Sequence, residues 1–418
     1  MTSQLPELRF KGFSGDWEEK KLGDVFSFSI SNNSISRANL NYKNGDIKNI
    51  HYGDVLINYK SILNTKLNYI PYINNSSIEK YKGNFLKNGD IVFADAAEDE
   101  TVGKAVEIDN VNNDYVVAGL HTIASRPKKE MGKYYWGFYI NSNSYHRQLL
   151  RLIQGSKVSS INKGNLKNSI VKFPKNEEQQ KIGTFFKQLD DTIELYQKQL
   201  NLVKEQKKGF LQKMFPKDGE QVPELRFKGF NGDWEEKQLK NIIDVRDGTH
   251  ESPKPQNEGY KLITSKNLKN GKIDMKNAYY ISKSDYIKIN NRSKVEIGDI
   301  LFGMIGTIGN PIVIQNDEFA IKNVALLKTS TFKGNFYLLN YLKSHLIKKQ
   351  FHKFNAGGTQ KFISLNVIRN LNVLLPNNEE QQKIGDFFKQ LDENIELLEN
   401  KLNDLNKLKK GFLQKMFV

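Results

Sequence analysis

From Ile182 onward the apolar residues of this chain recur in steps of four and three: Ile182, Phe186, Leu189, Ile193, Tyr196, Leu200 and Val203. The same steps return at Ile384, Phe388, Leu391, Ile395, Leu398, Leu402 and Leu405. A 3.5-residue period held this long predicts two helices with a coiled-coil seam. Asn176 and Asn378 stand where N-caps belong, Gln179 and Gln381 complete a capping-box pattern, and Pro174 and Pro376 lie just outside. Glu177, Glu178, Glu379 and Glu380 occupy the first turns, and Lys207, Lys208, Lys409 and Lys410 precede Gly209 and Gly411. The helix dipole favours that charge order. Ending at those glycines, each helix would run about 32 residues, roughly 48 Å at 1.5 Å per residue.

The two helical stretches are copies. Asn176 to Phe215 and Asn378 to Phe417 share 28 identities in 40 aligned positions. A second duplication joins Leu5 to Val25 with Val222 to Ile242, 15 identities in 21. The first pair is offset by 202 and the second by 217, so the second intervening block is 217 − 202 = 15 residues shorter. Inside the blocks, Asn88 to Ile108 and Ile297 to Ile314 each read as a Gly-Asp turn, a strand, a glycine-containing loop and another strand. A helix is expected over Tyr134 to Leu152 and over Asn335 to Phe351, followed by a small polar loop and a strand ending at Pro174 or Pro376. The fold class is therefore α+β, two globular blocks alternating with two long helices. The expected divisions are 1–175, helix 176–216, 217–377 and helix 378–418. By repeat equivalence the helices pack antiparallel and the terminal QKMFV lies beside the first PELRF motif, a pseudo-twofold circular arrangement.

Composition adds a partner class. The 418 residues carry 63 lysines and arginines against 47 aspartates and glutamates, a formal charge of +16. Such an excess attracts phosphate and points to nucleic acid. No cysteine is present, which excludes disulfides and fits a reducing, cytoplasmic setting. The amino terminus has no apolar secretion core, and the most apolar window, Ile297 to Ile314, is interrupted by Asp299, Asn310 and Pro311, so neither a signal nor a membrane span is expected. Phosphate-binding Gly-Lys loops, dinucleotide fingerprints, metal-ligand spacings and an adenine-methyltransferase Pro-Pro-aromatic motif are all missing from the sequence.

Two divergent blocks alternating with near-identical helical segments, the NEEQQKIGxFFKQLD and KKGFLQKMF signatures, and RDGTHESPKP at Arg246 to Pro255 resemble the specificity subunit of type I restriction-modification systems. The resemblance covers essentially the whole chain. It implies that each block is a target recognition domain binding double-stranded DNA, and that the helices are a spacer on which two methyltransferase subunits dock. Restriction subunits would join the full complex. It also implies a noncatalytic chain, with S-adenosylmethionine in the methyltransferase and ATP and Mg in the restriction subunit. The residues themselves agree: a rod of roughly 48 Å exceeds one duplex turn of about 34 to 36 Å, and unlike blocks should read unlike half-sites. The competing reading is a coiled-coil adaptor that does not bind DNA.

The candidate DNA contacts in block two fall in three polar clusters. They are Arg246, Gly248, Thr249, His250 and Lys254; Thr264, Ser265, Lys266 and Asn267; and Gly358, Thr359, Gln360 and Lys361. Arg246 could bind guanine or phosphate, and Gly248 could let backbone approach phosphate. Block one lacks the RDGTH pattern, and only rough equivalence selects Asn58, Tyr59, Lys60, Ser156 and Lys157. His121, beside apolar Val116 to Leu120, reads as a satisfied strand residue, and Trp17 and Trp234 as scaffold. The seam is Ile182, Phe186, Leu189, Ile193, Leu200 and their copies Ile384, Phe388, Leu391, Ile395 and Leu402. Phe185, Phe387, Phe210 and Phe412 are either buried against a block or free to dock a methyltransferase, and the second is favoured.

Overall fold

The computed structural model describes residues 5–153, 159–269, 271–306, 308–354 and 362–418. It divides into two compact units, Met1–Gln197 with Asn400–Val418, and Lys198–Glu399. The cut falls inside both long helices, so each unit holds the start of one helix and the end of the other.

In the first unit a five-stranded sheet runs in the order Phe26–Ser27, Thr122–Pro127, Ile91–Ala94, Ala105–Asp109, Ile62–Asn64. A four-stranded sheet runs Tyr115–Ala118, Ile47–Ile50, Tyr72–Ile73, Leu40–Asn41. Strand Ile91–Ala94 is buried throughout because its alternating side chains enter two different cores. Ile91 and Phe93 join the core that holds helix Tyr135–Ile140, Ile182, Phe186 and Phe417, while Val92 and Ala94 join Ile50, Val106 and Val116.

The second unit repeats the plan. Its four-stranded sheet runs Asp244–Asp247, Val324–Lys328, Ile300–Gly303, Gly309–Val313, and a three-stranded sheet runs Tyr279–Ile281, Tyr260–Thr264, Phe319–Lys322. Ile300 and Phe302 enter the core with Phe388, and Leu301 the opposite one. In both units a Gly-Asp turn buries its aspartate against a base on the neighbouring strand: Asp90 with Arg126 and Asp299 with Lys328, each at 2.6 Å. The expected helix after the sheet is broken in two in each unit, at Ser142 and at Ser344. Ser142 Oγ donates to the Tyr139 carbonyl at 2.6 Å and so competes with helix continuation.

Both long helices exceed expectation. Asn176–Lys213 and Asn378–Lys415 have 38 residues each, roughly 57 Å at 1.5 Å per residue. Gly209 and Gly411 lie inside them and neither takes a positive φ. A glycine in a helix costs only about 1 kcal/mol, and continuing the turn delivers Met214, Phe215, Met416 and Phe417 into the cores. The starts also differ by a residue. Asn377, not Asn378, caps the second helix by accepting from the Glu380 N–H at 2.9 Å, and Lys175 occupies that place in the first copy. Gln179 and Gln381 do not close capping boxes; they donate to the carbonyls of Pro174 and Pro376 at 2.8 and 2.7 Å.

Antiparallel packing is visible within each unit. Phe185 meets Phe412 edge-on at 5.1 Å, and Lys409 pairs with Asp190. In the other unit Phe210 meets Phe387 at 4.9 Å, and Lys204 pairs with Glu399 at 2.6 Å. Leu189, Leu200 and Leu402 are buried along the seam, whereas Ile193, Leu391 and Ile395 are half-buried. Ile182, Phe186, Ile384 and Phe388 are buried too, but as members of the unit cores.

The duplicated PELRF motif locks helix ends together. The Leu8 N–H donates to the Lys415 carbonyl at 2.9 Å, beside the chain end as expected, and Leu225 does the same to Lys213 at 2.8 Å. One residue on, Arg9 grips buried Glu178 through Nε and Nη2 at 2.6 and 2.7 Å, and Arg226 grips buried Glu380 at 2.7 Å twice. Neither arginine is among the expected site residues, and the duplication of PELRF is the sequence signal that marks both as scaffold.

Candidate nucleic-acid interface

The RDGTH stretch begins on the edge strand Asp244–Asp247, which pairs antiparallel with Val324–Lys328. The chain then turns across strand Phe319–Lys322. A Cβ on Gly248 would stand 2.5 Å from the Ile321 carbonyl carbon and 2.8 Å from the Lys322 nitrogen. That glycine is therefore needed for backbone passing over backbone, and it is buried rather than open to phosphate. Thr249 continues as a bridge to Lys322, its N–H donating to the Ile321 carbonyl at 3.0 Å.

His250 is held at both ring nitrogens, Nε2 at 2.8 Å from Asp247 and Nδ1 at 2.8 Å from Asn323 Oδ1. Asp247 is buried and also pairs with exposed Arg292. Arg246 is exposed and rests on Asp244 at 2.7 Å in solvent, a contact weak enough to exchange for phosphate or a base. Lys254 and Lys266 are exposed.

Half of the second cluster lies in the interior. Ser265 and Asn267 are buried. Ser265 Oγ donates to the Asn323 carbonyl at 2.9 Å, and Asn267 Oδ1 accepts from Thr264 N and Oγ1 at 3.0 and 2.9 Å. These hydrogen bonds build a corner next to the RDGTH loop, and the buried side chains of Ser265 and Asn267 are turned to the protein rather than to bases. The third cluster, Gly358, Thr359, Gln360 and Lys361, lies outside the described residues, as do Ser156 and Lys157.

In the first unit one of the three described candidates, Tyr59, is structural, while Asn58 and Lys60 are exposed. Tyr59 is buried with its hydroxyl 3.3 Å from the Tyr69 carbonyl, and burial raises the hydroxyl pKa far above its ordinary value. Asn58 donates to Asp54 at 2.8 Å, and Lys60 faces Glu194 at 3.4 Å. A cleft of about 570 Å³ in the same unit is lined by Asn32, Asp95, His121, Ser160 and Lys163 together with apolar Ile30, Ile123 and Ile161. His121 is not a satisfied strand residue. It occupies a left-handed corner, φ 53, between strands Tyr115–Ala118 and Thr122–Pro127, with Nδ1 3.2 Å from Asp95 Oδ1. Burial raises the Asp95 carboxyl above its usual range, against the lowering effect of His121. The matching corner of the second unit is Asn323, φ 54, the partner of His250. An isolated histidine after an apolar run carries no signal of such a corner, which depends on two strands brought together from distant sequence.

The aromatic docking candidates are likewise accounted for. Phe185 packs on Phe10 and Phe412, and Phe387 on Phe210 and Phe227, so all four candidate phenylalanines are half-buried between helix and PELRF segment. The exposed apolar residues of the long helices are instead Leu195, Leu202, Leu397 and Leu408. Among the described residues no group of three or more His, Asp or Glu could hold a metal, and no helix is long and apolar enough to cross a membrane.

Two units of one plan, each with a different polar corner, make this an internally duplicated protein. The family model for the type I restriction modification DNA specificity domain matches residues 14–205 and again 231–407, and the chain belongs to that family. It is 26% identical over 410 residues to a Methanocaldococcus jannaschii protein assigned as the specificity subunit of type I restriction enzyme MjaX, covering 95% of this chain and 92% of that one. The fold is that of a type-I restriction-modification S subunit from M. genitalium, with TM-score 0.62, 14% identity and 99% of each chain covered. A structure described for complex assembly of the type I R-M system aligns at TM-score 0.52 and 16% identity, over 96% of this chain and 97% of that one.

Proposed function

We propose that this chain is the sequence-specific DNA-binding subunit of a type I restriction-modification complex, recognising an asymmetric bipartite target and positioning its partners. The observation that carries the reading is the double family match on two units whose polar corners differ, His121 with Asp95 against Asn323 with His250. Equivalent corners with different side chains should read different bases. The family match also removes support from the adaptor reading. Arg246, Lys254 and Lys266 remain as contacts of the second unit, with the first suited to a base edge or phosphate and the lysines to phosphate.

In the complex, two methyltransferase subunits would hold S-adenosylmethionine and carry out methyl transfer, with the target base extruded from the duplex. Restriction subunits would use ATP and Mg. This chain would contribute position and sequence choice. Genome-wide mapping of adenine methylation, with and without the chain, tests the whole proposal. A single bipartite, non-palindromic methylated motif that disappears with the chain is expected, and an unchanged methylation map would refute it. Binding of the target duplex should also weaken steeply with salt, with a log-log slope near 0.9 per neutralised phosphate.

A further inference from the structure

The corner of the first unit is more than a polar surface. Asp95 and His121 face each other across a backbone frame, since the Asp95 N–H donates to the His121 carbonyl at 3.0 Å and the Asp95 carbonyl accepts from Ile161 at 2.9 Å. The imidazole is held by Asp95 on Nδ1 and by the Tyr52 ring, edge-on at 5.2 Å. Nε2 has no partner among the described residues, nor has Asp95 Oδ2, and neither has the side chain of exposed Asn32 on the same cleft. The Asp95 carboxylate beside Nδ1 selects the tautomer with its proton on that nitrogen, in which Nε2 is an acceptor. In that tautomer the cleft presents two acceptors, Nε2 and Asp95 Oδ2. His121 takes a left-handed backbone, φ 53, as Asn323 does at the matching corner, φ 54, so the conformation belongs to the turn that both units share.

The second unit sharpens the contrast. Its histidine at the equivalent corner, His250, uses both nitrogens within the protein. The free acceptor pair thus belongs to the first unit among the two corners compared. In a DNA major groove the donors that match such acceptors are the exocyclic amino groups of cytosine N4 and adenine N6, whereas guanine and thymine present acceptors there.

We propose that His121 Nε2, oriented by Asp95 on Nδ1, accepts from the exocyclic amino group of one base, cytosine or adenine, in the half-site recognised by the first unit. This assignment rests on the DNA-reading function proposed above. Neither residue acts catalytically; His121 contacts the base and Asp95 positions the ring.

The test titrates full-length wild type, Asp95→Asn and His121→Ala with duplexes of the mapped target. One base at a time lacks its amine: purine replaces adenine, or pyrimidin-2-one replaces cytosine. Wild type is expected to lose roughly tenfold to a hundredfold in affinity at one position of one half-site, and the analogue responsible identifies the base. Both variants should bind the intact target more weakly by a similar factor and lose nothing further from that analogue, while remaining as sensitive as wild type in the other half-site. Variants that keep the full wild-type penalty at every amine overturn the assignment. So does loss of sensitivity at both half-sites with a lowered melting temperature, which marks a purely structural pair. A wild-type chain indifferent to sequence refutes DNA reading itself and this assignment with it.

Discussion

Replacing Arg226 with alanine tests how the duplicated motif holds its helix. Glu380 is completely buried and its carboxylate is gripped by Arg226 at 2.7 Å through two nitrogens, while Arg226 also donates to the carbonyls of Gly232 and Asn231 at 2.6 and 3.0 Å. Removing the guanidinium leaves a buried carboxylate without its counter-charge and frees two carbonyls. Breaking a buried pair on one side typically costs about 3 to 5 kcal/mol. Glu380 lies in the first turn of a 38-residue helix, whose dipole partly compensates a negative charge. The lower end, about 3 kcal/mol, is therefore expected. Arg226→Lys keeps charge without the fork and should recover only part of that. Urea unfolding of the full chain followed by far-UV circular dichroism measures the loss, and the double variant Arg226→Met with Glu380→Leu should recover most of it because no charge is left buried. A loss below about 1 kcal/mol for Arg226→Ala would show that Glu380 is solvated or neutral without its partner, and the clamp argument would fail.

Three further outcomes are expected. Glu107, buried and accepting from the Tyr134 and Gly137 N–H groups at 2.6 and 2.9 Å, has its carboxyl pushed up to about 7 from 4.5 by burial. The folded value exceeds the unfolded one, so stability is complete below pH 4.5 and is lost as pH rises through 7, by about 3 kcal/mol over the whole window. Glu107→Gln should flatten that slope between mildly acidic and mildly alkaline buffer, and parallel profiles would contradict it. Phe417→Ala removes a buried ring stacked on Phe186 at 5.5 Å and edge-on to Tyr135 and Tyr139, both at 5.7 Å; a loss of about 3 to 5 kcal/mol in urea unfolding is expected, and less than 1 would count against it. Gly248→Ala meets immovable backbone at Ile321 and should cost about 1 to 3 kcal/mol while altering affinity for the second half-site, with wild-type stability and affinity as the contrary result.

Much of this was legible from local pattern. The repeat, the two helices and the α+β blocks follow from periodicity and self-similarity, because a 3.5-residue period and a duplicated motif are properties of the chain itself. At the helix ends local signals compete with burial. Gly209 looked like a stop, but Phe215 six residues later is buried beside Trp234 and Phe388, and only the packed core weighs one against the other. The polar clusters were misread for a related reason: Ser265 and Lys266 are neighbours in sequence, yet one is buried and the other exposed.

By itself, then, the sequence determined the duplication, the paired long helices, the basic charge and the family resemblance, all of which need only residue order and composition. Tertiary structure alone decided which polar groups remain available. Arg9 finds Glu178 across 169 residues and Asp95 finds His121 across 26. A hydrogen bond spends a side chain wherever its partner happens to fold, and no local pattern records that distance.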